Sequence, residues 1–341
     1  MRTEGTVGFF FPEGETSSIH EPDPLFREVK RALFSVHSMS PFAREVGSIR
    51  EADFCVIRER SSYKGPDYPR KLALDPLTGP CLHKIITINT EDGPSGLLRG
   101  LYTSLPRSRH DPRFHRAVPY RVSEPEMIPS GIPRKYLASW RGNVRSNRIR
   151  SRLLALFDST AGFCLESTES WFNHDPVEKQ RYAFLMSSSD FSLCPAGWAP
   201  STVRIYESMA LGVAPVILAD EFVPPSGPDW EKSAVFVPQK LLRKLPSLLW
   251  EAKDRAAAMG GCAKAQWKEF FSPEVIAGYY ASSILGLVHS GLFQNNRDAE
   301  IKRLNGIGLR WKNRWTMPQR FVAKIRRMGS SRTTRPVVST T

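Results

Sequence analysis

The sequence predicts an α/β protein with parallel sheets in two domains, joined by a proline-rich linker and followed by a basic C-terminal tail. Three observations carry this. Residues 189–220 read as strand, loop, helix, strand, and two apolar strands joined through a helix make a parallel unit. The 341 residues, 41% apolar and 24% charged, suit two globular domains with separate cores. Residues 301–341 hold eleven Lys or Arg and no Asp or Glu, so most of the net charge of +14 belongs to the tail.

Residues 189–220 organise the rest. Phe191 to Cys194 is a short apolar run, fit for a strand buried on both faces. Pro195, Gly197 and Pro200 break it into a loop. Ser201 or Thr202 is a natural N-cap for a helix over 203–211, and Gly212 stands where a C-cap glycine belongs. Val216 to Leu218 is the second strand. Along the helix, Ile205, Tyr206, Met209 and Ala210 share one side, and Arg204, Glu207 and Ser208 the other. The loop ahead of the helix lies at the carboxyl end of a parallel strand, where open α/β sheets bind ligands. A helix N-terminus suits a phosphate there, Arg204 adds a fork of donors, and Glu207 can accept from ribose hydroxyls. The competing reading makes Arg204 and Glu207 an ordinary surface ion pair, worth under ~1 kcal/mol.

In chain order, strands are expected at 7–11, 52–57 and 84–89 and a helix at 24–36, with 61–83 an irregular connection. Pro125, Pro129 and Pro133 mark an extended linker. This sets a first domain at 1–128, a linker at 129–135, a second domain at 136–292 and the tail at 293–341. In the second domain, 137–140 is a strand, 147–157 a basic helix, 176–186 a helix, 235–237 a strand, and 241–255, 256–271 and 273–292 are helices. On the helix 147–157, Arg150 and Arg152 are expected at the surface.

The segment Cys194, Pro195, Gly197, Ser201, Thr202, Arg204, Glu207, Gly212, Pro215, Val216, Ile217, Leu218 resembles the nucleotide-sugar-binding segment of exostosin-family glycosyltransferases. A second match runs from Lys135 through Trp140, Arg141, Gly142 and Asn143 to Arg148, and a third covers Asp220 to Pro225 and Asp229 to Glu231. The resemblance is good over 135–250. It implies two Rossmann-like domains facing across a cleft, the GT-B arrangement, and an inverting transferase that moves a sugar from a nucleoside diphosphate sugar, UDP-linked, to a glycan or lipid-linked saccharide acceptor. Gly197, Ser201, Thr202, Arg204 and Glu207 are then the donor-binding residues, with Arg141 and Arg148 reaching the diphosphate. Arg204 doubles as the catalytic cation. The family's acidic residue in a loop after a first-domain strand falls on Asp92, with Glu91 behind it, as the base that takes the acceptor proton. The competing reading of Asp92 is plain turn chemistry. His110 and His115 are alternative bases, or else solvated loop residues or acceptor contacts.

Five scattered cysteines with no C-x-x-C pair give neither a zinc site nor a disulfide framework. With no Asp-x-Asp and no ligand cluster, the expected enzyme is metal-independent and needs no cofactor. The N-terminus lacks a signal core and no apolar run reaches about 20 residues, so a cytoplasmic location is expected. Residues 305–328 mix aromatics with Lys and Arg, as a segment lying on an anionic membrane would; no nucleic-acid partner is expected. The rival readings are a non-catalytic glycan- or nucleotide-binding scaffold and a protein that binds nucleic acid or membrane through this tail.

Overall fold

The computed structural model describes residues 7–12, 17, 20, 23–35, 43–59, 67–122, 132–169, 175–290 and 296–313. Two all-parallel sheets form its frame. The first has strands β1 (Val7–Phe10), β2 (Ala43–Glu45), β3 (Phe54–Arg58), β4 (Ile85–Asn89), β5 (Gly100–Tyr102) and β6 (His115–Ala117) in the order β2-β1-β3-β4-β5-β6. The second has β7 (Tyr136–Gly142), β8 (Phe163–Ser167), β9 (Ser189–Pro195), β10 (Ala214–Leu218) and β11 (Val235–Phe236) in the order β11-β10-β9-β7-β8. These are the two expected Rossmann-like units. In each, the strand order reverses beside the unit's first strand, which opens a crevice at the carboxyl ends of β1/β3 and of β7/β9.

The helix predicted at 24–36 is α1 (Pro24–Ser35), and the basic helix is α3 (Arg148–Phe157), capped by Asn147. The helix ahead of β9 is α4 (Pro176–Ser187), and the organising helix is α5 (Val203–Ala210). Ile205, Tyr206 and Met209 are wholly buried, as their spacing requires. Each such side chain contributes on the order of 1.5–3 kcal/mol. Gly212 has φ +70°, the left-handed region that ends a helix at little cost to glycine.

Several elements escape the periodic reading. Strands β2, β5 and β6 are three residues long, too short to show a period. The connection expected to be irregular contains α2 (Tyr68–Leu74) and a 3-10 segment Gly79–Lys84. The single helix expected over 241–255 is instead a 3-10 turn Gln239–Lys244, then α7 (Leu245–Ala252), then a second 3-10 turn, because Pro246 opens a new helix. A short α6 (Trp230–Ser233) precedes β11, and α8 (Ala256–Phe270) covers α5.

After the second sheet the chain returns to the first. Helix α9 (Ile276–His289) packs Ile276, Tyr280, Ile284 and Leu287 into one core with Phe9, Phe26, Val56 and Ile88. Two further helices, α10 (Arg297–Asn305) and α11 (Ile307–Lys312), lie inside the segment read as tail. Leu304 joins Cys55, Ile57, Leu72 and Leu98 on the first sheet's other face. Glu300, 1% exposed, meets Arg99, 2% exposed, at 2.7 Å, and also binds Arg303. The charge run therefore marks a stretch of which 297–312 is folded against the first sheet: one acidic residue at position 300 gives its arginines a partner. Residues 129–131 of the proposed linker and the membrane-surface segment from 314 onward lie outside the described residues. No helix among the described residues is long and apolar enough to cross a membrane.

The two carboxyl edges face each other. Arg107, in the loop after β5, donates its N–H to the Glu221 carbonyl (2.9 Å) and its guanidinium to the Phe222 carbonyl (2.7 Å), both in the loop after β10. The Tyr120 ring meets the Tyr206 ring edge-on, centroids 6.4 Å apart. Tyr279 and Tyr280, adjacent on α9, donate in opposite directions, to Ser226 of the second unit (2.8 Å) and Pro119 of the first (2.7 Å).

Candidate functional site

The second unit contributes a helix start. Thr202 is the N-cap of α5 in extended conformation, yet its side chain makes no capping bond. Ser201 is buried, and neither its Oγ nor Thr202 Oγ1 has a hydrogen-bond partner among the described residues. Buried hydroxyls are rarely left unpaired, and the first-turn amides of a helix have no partner within it. An anion bound there satisfies both.

Arg204 lies over the Tyr182 ring (4.6 Å to the centroid) and the Trp140 ring (5.9 Å), and donates to the Arg141 carbonyl. It thus sits between the ends of β7 and β9, at the crevice. The surface ion pair does not form as drawn: Glu207 accepts the Tyr182 hydroxyl at 2.5 Å, and Tyr182 stands against both residues. Burial pushes the Glu207 carboxyl up, opposed by Tyr182 and Arg204. Cys194, on the strand beneath, is an inert thiol, pushed up to about 12 by burial. All five cysteines are free.

The structure places the three arginines of this region differently. Arg141 is bound to Glu166 and Glu178; Glu166 is its register partner on β8, so the strand pairing itself brings the opposite charges together. Arg148 is exposed on α3. Arg150, two residues on and expected at the surface, is the arginine that turns inward. Its Nε donates to the Ala196 carbonyl (3.0 Å) and its Nη1 to the Asn143 carbonyl (3.1 Å), which ties together the loops after β9 and β7. A Cβ at Gly197 would come within 2.8 Å of Arg150 Nη2, so glycine is what lets the loop close over the guanidinium. Burial, then Arg204, lowers the Arg150 guanidinium to about 10, while Tyr182 and Asp92 act the other way. Asp92 belongs to the other unit, and its electrostatic reach to Arg150 spans the gap.

On the first unit, Asp92 is exposed in the loop after β4. Its Oδ1 accepts the Tyr120 hydroxyl at 2.9 Å, and that hydroxyl also meets Ser104. Glu91 faces Arg58 at 3.8 Å. The histidines are neither solvated nor basic. His115 is buried and its Nδ1 accepts the Asp111 N–H; its ring meets His110 edge-on at 5.7 Å. Burial first, and the other histidine for His115, lowers His110 to about 4 and His115 to about 3. Among the described residues no group of three or more His, Cys, Asp or Glu is placed to hold a metal ion. Arg150 and Tyr120 are the site residues that sequence reasoning misses. Arg150's only local signal is its place on the first turn of a helix that follows a crevice loop.

Fold and site define a two-unit α/β protein with a cation-lined crevice opposed by a carboxylate. Residues 104–251 match the family described as Exostosin GT47 domain, so this stretch of the chain is similar to exostosin-type glycosyltransferase domains. A probable glucuronosyltransferase of Oryza sativa subsp. japonica is 41% identical over 144 residues, 39% of this chain and 31% of that one. A probable beta-1,4-xylosyltransferase of Arabidopsis thaliana is 41% identical over 66 residues, 19% of this chain and 16% of that one. The aligned stretches thus span less than a third of these plant proteins. Among solved structures, Anabaena HepE in complex with UDP and glucose is 9% identical with a TM-score of 0.43, covering 82% of this chain and 99% of that one. TarM is 10% identical with a TM-score of 0.40, covering 76% and 58%.

Proposed function

We propose that this protein transfers a sugar from a nucleoside diphosphate sugar, UDP-linked, to a hydroxyl of a saccharide acceptor, with inversion and without a metal ion. The observation that carries the reading is the conjunction at the start of α5: two buried hydroxyls without partners, an uncapped helix N-terminus, and Arg204 held over Tyr182 and Trp140 beside them. The pyrophosphate takes the hydroxyls and first-turn amides, and Glu207 accepts from the ribose. The printed names of the plant relatives, a probable glucuronosyltransferase and a probable beta-1,4-xylosyltransferase, support sugar transfer.

In the reaction the Asp92 carboxylate takes the acceptor's hydroxyl proton as that oxygen bonds to the anomeric carbon. The carbon–phosphate-oxygen bond breaks, and its electron pair leaves on the nucleoside diphosphate. Arg204 and Arg150 offset the negative charge growing there. Stabilisation aimed at developing charge, in a site shielded from water, is worth on the order of 10²–10³ in rate per donor.

Calorimetric titration of UDP, with and without Arg204→Ala, tests this. The variant should keep its fold, lose donor affinity at least tenfold, and show no measurable transfer. Unchanged UDP affinity in Arg204→Ala would sink the reading.

A further inference from the structure

Tyr120 has no counterpart in the sequence reading. It follows β6, the last strand of the first sheet, and stands at the gap between the units. Its hydroxyl donates to Asp92 Oδ1 at 2.9 Å and meets Ser104 on its other side. Its ring packs edge-on against Tyr206 at 6.4 Å and 65°. Tyr206 is wholly buried and lies between Arg204 and Glu207 in the sequence of α5. It packs in turn on Phe271 (5.5 Å), and Phe271 on Tyr279 of the returning helix α9 (5.5 Å). A continuous aromatic seam therefore runs from the carboxylate of the first unit through Tyr206 and Phe271 of the second to the returning helix α9.

We infer that Tyr120 is a positioning residue: it aims Asp92 across the gap and ties that carboxylate to the donor-side helix, so that the base is placed only when the two units are closed on each other. This rests on the reading of Asp92 as the base. A phenol donating to a carboxylate stabilises its ionised form and removes one of its orientations. Burial and the neighbouring Asp92 push the Tyr120 phenol well up, so it keeps its proton and remains a donor at every working pH. Glu91 precedes Asp92 in its loop and lies 3.8 Å from Arg58, while Arg150 of α3 feels the Asp92 charge. None of these changes when the Tyr120 hydroxyl is removed.

Tyr120→Phe tests the inference, since it removes the hydroxyl and leaves the ring on Tyr206. The kcat should fall about tenfold with the acceptor KM within twofold, the loss that a missing charged hydrogen bond implies. UDP affinity, measured calorimetrically, should stay within twofold. Ser104→Ala takes only the hydroxyl's second partner and should leave kcat within twofold. If Asp92→Asn abolishes transfer while Tyr120→Phe leaves kcat unchanged, Tyr120 has no positioning role and the base assignment survives. If Asp92→Asn also transfers at the wild-type rate, the base assignment and this inference fall together, whatever UDP binding shows.

Discussion

At the carboxyl edge of the second sheet two arginines are each half-buried and each pinned by backbone carbonyls: Arg204 by Arg141, Arg150 by Asn143 and Ala196. At the facing edge of the first sheet stands a carboxylate, Asp92, exposed and held by a phenol. The difference teaches a division of labour. Cations fixed on backbone cannot follow a moving ligand, which suits a leaving group whose place must not change. A carboxylate on an exposed loop can meet acceptors of varied shape and is aimed by one hydrogen bond.

The sharpest way to break this contrast is Asp92→Asn. Transfer should fall by about 10²–10⁴ with UDP affinity unchanged; a fall in UDP affinity instead would put Asp92 in the donor site and erase the division.

A second test asks whether the first unit depends on helices that come after the second. Glu300→Ala removes the buried carboxylate that Arg99 meets at 2.7 Å, a defect on the order of 3–5 kcal/mol. Denaturant unfolding should show the loss, while UDP affinity per folded molecule stays the same. Wild-type stability in this variant would mean that α10 merely rests on the first sheet.

The smallest effect is a pH dependence confined to the first unit. His110 and His115 are held neutral, at about 4 and about 3, below the ordinary histidine value of 6.5. The unfolded chain takes up their protons first, so stability is full above pH 6.5 and is lost as pH falls from there toward 4. The slope is at most about 1.4 kcal/mol per pH unit for each histidine. Thermal melts across this range should show the decline, and His115→Asn should flatten it even from a lower starting point. An unchanged slope would place the sensitivity elsewhere.

Legibility followed the range of the interactions. The strand–helix–strand unit around α5 could be read because each of its signals is local: Thr202 before the helix, Gly212 after it, and Ile205, Tyr206 and Met209 one turn apart. The parallel pairing followed from its connection. Asp92 could be named but not placed, since turn chemistry alone accounts for Asp-Gly-Pro. Arg141, Arg148 and Arg150 looked alike on paper. Which of the three faced the crevice depended on strand register, which set Glu166 opposite Arg141, and on the rotation of α3, which turned Arg150 under the loop at Gly197.

By itself the sequence determined two α/β units, the helix start at Ser201 and Thr202, and the place of Arg204 and Glu207 on it, because hydrophobic period and capping act over a few residues. Only the tertiary structure decided that Arg150 ties the crevice loops while Arg141 pairs with Glu166 and Glu178, that Tyr120 reaches Asp92, and that Glu300 meets Arg99 across 201 positions. Those choices rest on close packing and on finding a partner for every buried charge, and no short window of residues contains both partners.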